Sequence, residues 1–509
     1  MSRRPLTAVL AVALASAASG LLADEIPNRP EALKYPAFTY TPPSAKDYRA
    51  TLKSGPVVYI AEDHELPLVS IVVNIKGGTY LDPAGKEGLA ELAGYLLARG
   101  GTKSMSAEDL EEELAFLAAN LNSSYGPDRG VVSLNLLKKD VDRGLQLLRE
   151  VLTEPRFQED KLKLRKDQLL LDMKKRNDDS GNIEARERGF LETGEAFYTN
   201  RYTTKASIDA ITREDLVAFH RRYVAPTNFS LAVAGDLDRA TMLKKLDALF
   251  TGWPVSGAEA APSVPKPEHK IPKGVFLVDK DVNQGRVSVI LPGLLWSDPD
   301  FFPANVMTDI LGAGGFTSRI TNRVRSDEGL AYDARANFRG GNWYRGTLVA
   351  AFQSKVRTCS YATQIVFEEM QKMKAFGADP KTSASDEDEL KTSKNSFIET
   401  LPRRFQTKAQ AMGVLLEEEL IGRYKLVPDY YATYRANMEK VTAADVKRAA
   451  DKLLTTGSAA VLVVGKKDDL LNPDPKHQVK FEDLGVGKVV ELPLRDPLTM
   501  KPISPGTAK

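Results

Sequence analysis

Apolar and polar residues follow two periods along the chain, one typical of strands and one typical of helices. Short apolar runs at 69–75 and 286–291 predict buried strands, and the polar–apolar stretches 141–152 and 160–175 predict long helices. Strands, long helices and then strands recur in this order. The pattern predicts an α+β protein in which helices pack on one face of each sheet.

The two halves of the chain repeat this pattern. Thr212 and Thr442 each precede an aspartate by three residues, a capping-box spacing that begins a helix. Each predicted helix leads into an apolar run that ends in a glycine, Gly235 or Gly465. The two threonines are 230 positions apart, as are the two glycines. Because order, cap and glycine agree, we predict two homologous halves produced by duplication.

Changes in composition predict the domain boundaries. Residues 254–273, rich in Pro, Ala and Lys, have the composition of a linker. Residues 1–23 have a short basic start and an apolar run too short to span a bilayer, which favours a signal peptide over a single anchor helix. We therefore predict an N-terminal domain at 24–253, a C-terminal domain at 274–495 and a tail at 496–509.

The net charge and the small numbers of cysteine and histidine exclude some classes of function. The 509 residues carry a formal net charge of +2, which gives no reason to expect a nucleic-acid partner. Cys359 is the single cysteine, so neither an intrachain disulfide nor a cysteine zinc cluster is possible. The four histidines, His64, His220, His269 and His477, are scattered. A signal-like start without a lipidation cysteine predicts a periplasmic or secreted protein with no membrane span in the mature chain.

The first half contains the segment GGTYLDPAGKEGLAELAGYLLARGGT at 77–102. This segment resembles the pitrilysin/insulinase family of inverted-zincin peptidases, in particular the short bacterial members related to mitochondrial processing peptidase. The resemblance extends from about Tyr35 to Leu470 and implies a clam-like shell of two halves. In active members H-x-x-E-H follows Gly-Leu-Ala on a helix, where two histidines bind zinc and the glutamate activates water. Here the three positions are Glu91, Gly94 and Tyr95.

These three residues are a poor donor set for zinc. One carboxylate, a residue without a side-chain donor and a phenol with a pKa of about 10 do not replace two imidazoles and a glutamate. Asp172 lies near the position of the family's third ligand, but its basic neighbours at 174–176 favour a solvated charge. A weak divalent site at His64, beside three acidic residues, is the less favoured alternative to a solvated turn. We predict no catalytic residue, metal or cofactor on this chain.

The second half contains DILGAGGFTSRITNRVRSDEGLAY at 309–332. The segment is similar to C-terminal halves of the same family, where a glycine-rich turn and a helix precede an arginine followed seven residues later by a tyrosine. Arg325 and Tyr332 fit this spacing. The resemblance implies that the pair reaches the zinc site of the other half or of a partner, where it holds the substrate backbone and stabilises the tetrahedral intermediate. Arginine and tyrosine donors suit that task.

The surroundings of the pair leave alternatives open. Gly329 is expected to end the helix, which places Arg325 in its last turn and Tyr332 at the start of a strand. Apolar residues at every second position from 330 to 338 would put Tyr332 on the core face, and Arg325 also suits a helix C-terminus as a surface residue. The glycines of 312–315 resemble the family's substrate-contacting segment, although a tight turn into a helix explains them equally.

The resemblance predicts a non-catalytic, substrate-binding subunit of a heterodimeric zinc metallopeptidase that degrades peptides or unfolded polypeptides. Its partner would be a homologous subunit with an intact H-x-x-E-H and the zinc ion, to which this chain supplies Arg325 and Tyr332. The alternative is a catalytically silent structural member of the same fold. An autonomous peptidase with a different metal site is the least favoured possibility.

Overall fold

The computed structural model describes residues 29, 33, 40–254 and 256–503. The predicted signal peptide and the end of the predicted tail lie outside the described residues. Contacts divide the chain into a unit of residues 1–41 and a unit of residues 42–509, and the second contains the elements that follow. None of the described helices is both long and apolar enough to cross a bilayer.

Twelve strands of the described chain form two six-stranded sheets. The strands of the first sheet are β1 (Arg49–Thr51), β2 (Val57–Glu62), β3 (Leu68–Lys76), β4 (Asn120–Tyr125), β5 (Arg129–Leu137) and β6 (Phe229–Gly235). The strands of the second are β7 (Gly274–Asp279), β8 (Gln284–Pro292), β9 (Ala331–Phe338), β10 (Thr347–Lys355), β11 (Ala460–Gly465) and β12 (Val489–Leu492).

The two sheets share one topology. Their orders are β1-β2-β6-β3-β5-β4 and β12-β7-β11-β8-β10-β9, so the second repeats the first at every position but the edge strands β1 and β12. The pairs β2–β6, β7–β11 and β12–β7 are parallel, and the other neighbours are antiparallel. The predicted α+β fold of two homologous halves with mainly antiparallel sheets is therefore confirmed.

Both halves contain helices between and after their strands. Those of the first half are α1 (Ala45–Tyr48), α2 (Leu89–Leu97), α3 (Ala107–Phe116), α4 (Val141–Thr153), α5 (Glu159–Lys174), α6 (Ser180–Thr193), α7 (Lys205–Ala210), α8 (Arg213–Tyr223) and α9 (Arg239–Phe250). Those of the second half are α10 (Phe301–Thr308), α11 (Arg319–Thr321), α12 (Cys359–Met373), α13 (Ser383–Thr400), α14 (Lys408–Leu420), α15 (Arg423–Leu426), α16 (Tyr430–Glu439), α17 (Ala443–Leu453) and α18 (Lys467–Leu471). The helices predicted at 141–152 and 160–175 are confirmed as α4 and α5.

The predicted capping boxes begin α8 and α17. Thr212 Oγ accepts from the Asp215 N–H at 3.4 Å, and the Asp215 carboxylate accepts from the Thr212 N–H at 2.8 Å. Thr442 and Asp445 make the same two hydrogen bonds at 3.2 and 2.9 Å. Each cap satisfies N–H groups that the first helical turn leaves free, so local sequence fixes where both helices begin.

Each sheet packs one face against the helices of its own half and the other face against one helix of the opposite half. Helix α14 lies on β2 and β6 of the first sheet, and α6 lies on β8 and β11 of the second. Met412 and Leu416 of α14 are buried against Tyr59 and Ala232 of the first sheet. This exchange adds a third layer to each half that the sequence pattern did not predict.

Ion pairs attach the exchanged helix α14 to the first sheet. The Glu419 carboxylate accepts from Arg49 Nε and from the Tyr59 hydroxyl, each at 3.0 Å, and the adjacent Glu417 pairs with Arg129 of β5. Burial and the neighbouring Glu419 carboxylate raise the pKa of Tyr59 well above its ordinary value, so its hydroxyl stays a donor. The two halves are therefore joined by apolar burial and by charge.

Candidate functional site

Helix α2 carries the positions at which the resemblance would place zinc ligands, and Asp82 holds its N-terminus. One Asp82 oxygen accepts from the Gly88 N–H at 2.9 Å and the other from the Ala90 N–H at 2.8 Å. Burial raises the pKa of Asp82 to about 6, although both hydrogen bonds oppose the shift. Asp82 directly precedes a proline, and only the structure shows that its carboxylate caps this helix.

On the exposed side of α2, an arginine lies where a cation would have to bind. Arg165 Nη2 of α5 donates to the Glu91 carboxylate at 3.2 Å, and the Arg165 guanidinium carbon is 4.4 Å from the Tyr95 ring centroid. Arg99 lies 4.8 Å from the same ring and donates to Asn122 at 2.8 Å. Glu91 and Tyr95 thus hold a guanidinium, whose charge opposes entry of Zn²⁺. Sequence reasoning missed both arginines: Arg165 lies far from the motif in the chain, and Arg99, although inside the segment 77–102, has no role that the spacing indicates.

Gly94, at the position of the family's catalytic glutamate, lies directly against β4. A Cβ placed on Gly94 would lie 2.4 Å from the backbone nitrogen of Tyr125, closer than any real contact allows. Ser123 Oγ donates to the Gly94 carbonyl at 2.5 Å and accepts from the Ala98 N–H at 2.9 Å. The close approach leaves no space for a longer side chain. The three positions therefore do not fit a zinc ion, by donor chemistry or by space.

The remaining metal-ligand candidates have other surroundings. Asp172 of α5 is exposed to solvent, which agrees with the favoured interpretation of a solvated charge. Each histidine hydrogen-bonds to or stacks on groups that are not metal ligands in a shared site, and His220 also packs edge-to-face on Phe157 with ring centroids 6.0 Å apart. These groups are the Asp236 carboxylate for His64 (2.7 Å), the Leu152 carbonyl for His220 (2.9 Å), the Leu191 carbonyl for His269 (3.1 Å) and the Tyr361 ring for His477 (centroids 4.0 Å apart). Among the described residues, no group of three or more His, Cys, Asp or Glu side chains is arranged to hold a metal ion.

His220 gives the fold a pH dependence. Desolvation lowers its pKa to about 4, whereas in the unfolded chain it is about 6.5. Between these values the unfolded state binds a proton and the folded state does not, so this contribution to stability is full above pH 6.5 and declines as the pH falls towards 4. We expect wild type to lose more unfolding free energy than His220→Gln between pH 7 and pH 5, measured by urea denaturation. Equal losses in the two proteins would contradict this.

The second half brings Arg325 and Tyr332 together. The Arg325 guanidinium carbon is 4.5 Å from the Tyr332 ring centroid and 4.5 Å from that of Phe316. Tyr332 is 82% exposed and Phe316 is 67% exposed. All three side chains line a cavity of about 570 Å³ together with the glycine-rich segment. Phe316 was not singled out from the sequence, although its place next to the glycines was a signal.

The alternative that Tyr332 packs into the core is wrong, and a β-bulge is the reason. Ala334 pairs with Phe352 of β10, but Ala331 pairs with Ser354, so β9 has one more residue than its partner over this stretch. The extra residue reverses the alternation, which buries Ala331 and turns both Tyr332 and Asp333 outwards. A strand without the bulge would have buried Tyr332.

The elements before β9 hold Arg325 in place. π-helical turns at Asp309–Ala313 and Asn322–Asp327 flank α11, and Arg325 lies in the second of them. Gly329 then ends the helical region with a φ of +62°, as predicted.

Gly312 packs on β9 so closely that a Cβ would lie 2.3 Å from the Ala336 nitrogen. Close packing explains this glycine, and a left-handed turn with a φ of +72° explains Gly315.

The donors of Arg325 are available to a ligand. Among the described residues Arg325 has no ion-pair partner and donates no hydrogen bond, whereas the nearby Arg335 is paired with Asp333 at 2.5 Å. A guanidinium and a phenol on one side of an open cavity present several hydrogen-bond donors to a carbonyl or carboxylate oxygen. The donors of this arrangement suit the carbonyl oxygens of a peptide backbone.

Comparison with known proteins identifies the family, and one of the two matching family models spans parts of both halves. The model of insulinase, peptidase family M16, matches residues 57–189, and the model of the peptidase M16 inactive domain matches residues 210–394. A non-peptidase homolog, YmxG, of Helicobacter pylori is 27% identical over 368 residues, which cover 69% of this chain and 83% of that protein. An uncharacterized zinc protease of Mycobacterium leprae is 26% identical, covering 57% of this chain and 65% of its own length.

Solved structures share the fold. The peptidase M16 inactive domain from Pseudomonas fluorescens superposes with a TM-score of 0.69 at 22% identity and covers 82% of this chain and 97% of that one. The periplasmic protease PqqL from Escherichia coli superposes with a TM-score of 0.67 at 15% identity, covering 82% of this chain and 45% of its own. Together the two family models match more than half of the sequence. The chain therefore belongs to the insulinase, or M16, peptidase family and is a member that lacks the zinc-binding residues.

Proposed function

We propose that this chain is the non-catalytic, substrate-binding subunit of a two-chain zinc peptidase that degrades peptides or unfolded polypeptides. Its partner is a homologous chain with an intact H-x-x-E-H, which holds the zinc ion. Arg325 and Tyr332 of this chain enter the partner's active site. There they bind the substrate backbone and stabilise the oxyanion of the tetrahedral intermediate.

The exposure of Tyr332 and the lack of an ion-pair partner for Arg325 among the described residues carry this proposal. A tyrosine that is 82% exposed and stacked on an arginine without an ion-pair partner, among the described residues, does nothing for the core of its own half. The first half has meanwhile lost its metal donors and filled their place with Arg165. An asymmetric loss of this kind fits a chain that completes another chain's site.

The proposal predicts that the pair contributes to the rate of the complex. In a complex reconstituted with an H-x-x-E-H subunit, Arg325→Ala and Tyr332→Phe should each lower kcat/KM for an unfolded polypeptide about tenfold or more, because each removes an oxyanion donor. Arg335→Ala is the matched control, since this arginine lines the same cavity but is paired with Asp333. Hydrolysis at the wild-type rate by both site variants would refute the proposal.

A structural member of the same fold is the alternative function, favoured by the ion pairs and apolar contacts that join the halves. Stable assembly with a partner but no hydrolysis of any polypeptide would support it. We also propose a periplasmic or secreted location, because the first 23 residues have the pattern of a signal peptide. Fractionation of cells, followed by determination of the mature N-terminus, tests this point.

A further inference from the structure

A large cavity lies away from both sites discussed above. Its volume is about 1110 Å³, and residues of both halves line it. The first half contributes the β1–β2 turn and the segment after α9. It also contributes the last residue of β3 and the first residues of β6, which lie side by side at one end of these two strands. The second half contributes the end of α14 and Lys425 of α15.

The charges around this cavity are unbalanced. Lys53, Lys76 and Lys425 line it, and none of them has an ion-pair partner among the described residues. Arg49 lines it as well but is paired with Glu419, the one carboxylate in the lining, at 3.0 Å. The ammonium groups come from three separate elements and face one space, so the cavity attracts anions.

Two hydroxyl groups in the lining lack partners. Ser230 at the start of β6 is 5% exposed, and its Oγ has no hydrogen-bond partner among the described residues. Ser54 Oγ in the β1–β2 turn also has no hydrogen-bond partner among the described residues. Leaving a buried hydroxyl unsatisfied costs free energy, and such groups call for an explanation. A ligand that accepts a hydrogen bond at this wall would supply the missing partner.

One wall of the cavity is aromatic. Phe229, Phe250 and Trp253 line it, with the Trp253 ring 5.4 Å from the Phe229 centroid and 5.7 Å from the Phe250 centroid. A hydrated inorganic anion makes little use of such a surface. An anionic ligand with an apolar part would contact the lysines and the rings together.

We propose that this cavity binds an acidic segment of a polypeptide, with carboxylates at the lysines, a hydrogen bond from Ser230, and an apolar side chain against Trp253. A lysine is a point charge without the planar fork that favours phosphate, and three lysines on separate elements match carboxylates spaced along a chain. The cavity is lined by residues of this chain, so binding there requires neither a partner subunit nor Arg325.

The test measures binding to the isolated full chain by fluorescence anisotropy. The probe is a labelled peptide with several glutamates around one phenylalanine, and the reference peptide has glutamine at each glutamate. We expect the acidic peptide to bind and the glutamine peptide to bind at least about tenfold more weakly. Lys76→Glu and Lys425→Glu should each weaken binding of the acidic peptide about tenfold, and Ser230→Ala about fivefold.

Lys391→Glu on α13 is the matched control, because it makes the same charge change outside the cavity lining and should leave affinity unchanged. Equal binding of the two peptides, or an equal loss in Lys391→Glu and Lys76→Glu, would overturn the proposal. Displacement of the peptide by inorganic phosphate at matched concentration would overturn it in favour of a small-anion site. Arg325→Ala should bind the acidic peptide as tightly as wild type. This result would show that the cavity and the proposed function are independent, so that either proposal can fail without the other.

Discussion

Restoring H-x-x-E-H to α2 through Glu91→His, Gly94→Glu and Tyr95→His is expected to destabilise the protein and to produce no zinc peptidase. The histidines would have to displace Arg165 from its contacts with residues 91 and 95. The glutamate would have to enter a space that the β4 backbone already fills, since even a Cβ at Gly94 would lie 2.4 Å from the Tyr125 nitrogen.

The expected loss of unfolding free energy is about 4 kcal/mol, the combined cost of overpacking and of placing a carboxylate in a packed interface. Urea denaturation measures the loss, and equilibrium dialysis measures zinc. The double variant Glu91→His, Tyr95→His keeps Gly94 and should lose less stability. A triple variant that is as stable as wild type and binds one zinc ion per chain would contradict the prediction.

Gly94→Ala isolates the steric part of this effect. In an open helix, Gly→Ala stabilises by up to about 1 kcal/mol. Gly413 in α14 provides the comparison, because a Cβ there meets no atom within 4 Å. We expect Gly413→Ala to stabilise the protein and Gly94→Ala to destabilise it, although both residues are helical. The same sign for both substitutions would argue against the close approach of α2 to β4.

Leu416→Ala is expected to lower the unfolding free energy by about 3 kcal/mol, the range for a buried leucine that leaves a cavity. Leu416 is 1% exposed and lies with Met412 between α14 and the first sheet. Because α14 belongs to the second half, the substitution weakens the attachment between halves as well as the core. Denaturation followed by tryptophan fluorescence and by circular dichroism measures the loss.

Leu426→Ala is the matched control for this experiment. Leu426 in the neighbouring helix α15 is 72% exposed, so its truncation should change stability by no more than about 0.5 kcal/mol. Similar losses in the two variants would mean that burial under α14 does not stabilise the molecule. A loss in Leu416→Ala together with separated transitions for the two probes would assign α14 a role in coupling the halves.

Several features followed from the sequence because their causes are local. The Thr-x-x-Asp spacing set the starts of α8 and α17, apolar periodicity identified α4 and α5, and Gly329 marked the end of a helix. The absence of zinc donors at Glu91, Gly94 and Tyr95 was also a property of residue type alone. Duplication predicted that the two halves share one fold, and the second sheet does repeat the strand order of the first, although the order itself came only from the structure.

Other features depended on residues far apart in the chain. Only the packed structure brings Arg165 to Glu91 and sets Gly94 against Tyr125. The alternation of apolar residues from 330 to 338 pointed Tyr332 inwards, and the pairing of β9 with β10 reversed that direction through a bulge. Residue type alone thus determined which chemistry this chain has lost. Tertiary pairing decided which side chains face the cavities, because the direction of a side chain follows from strand register and from what packs beside it.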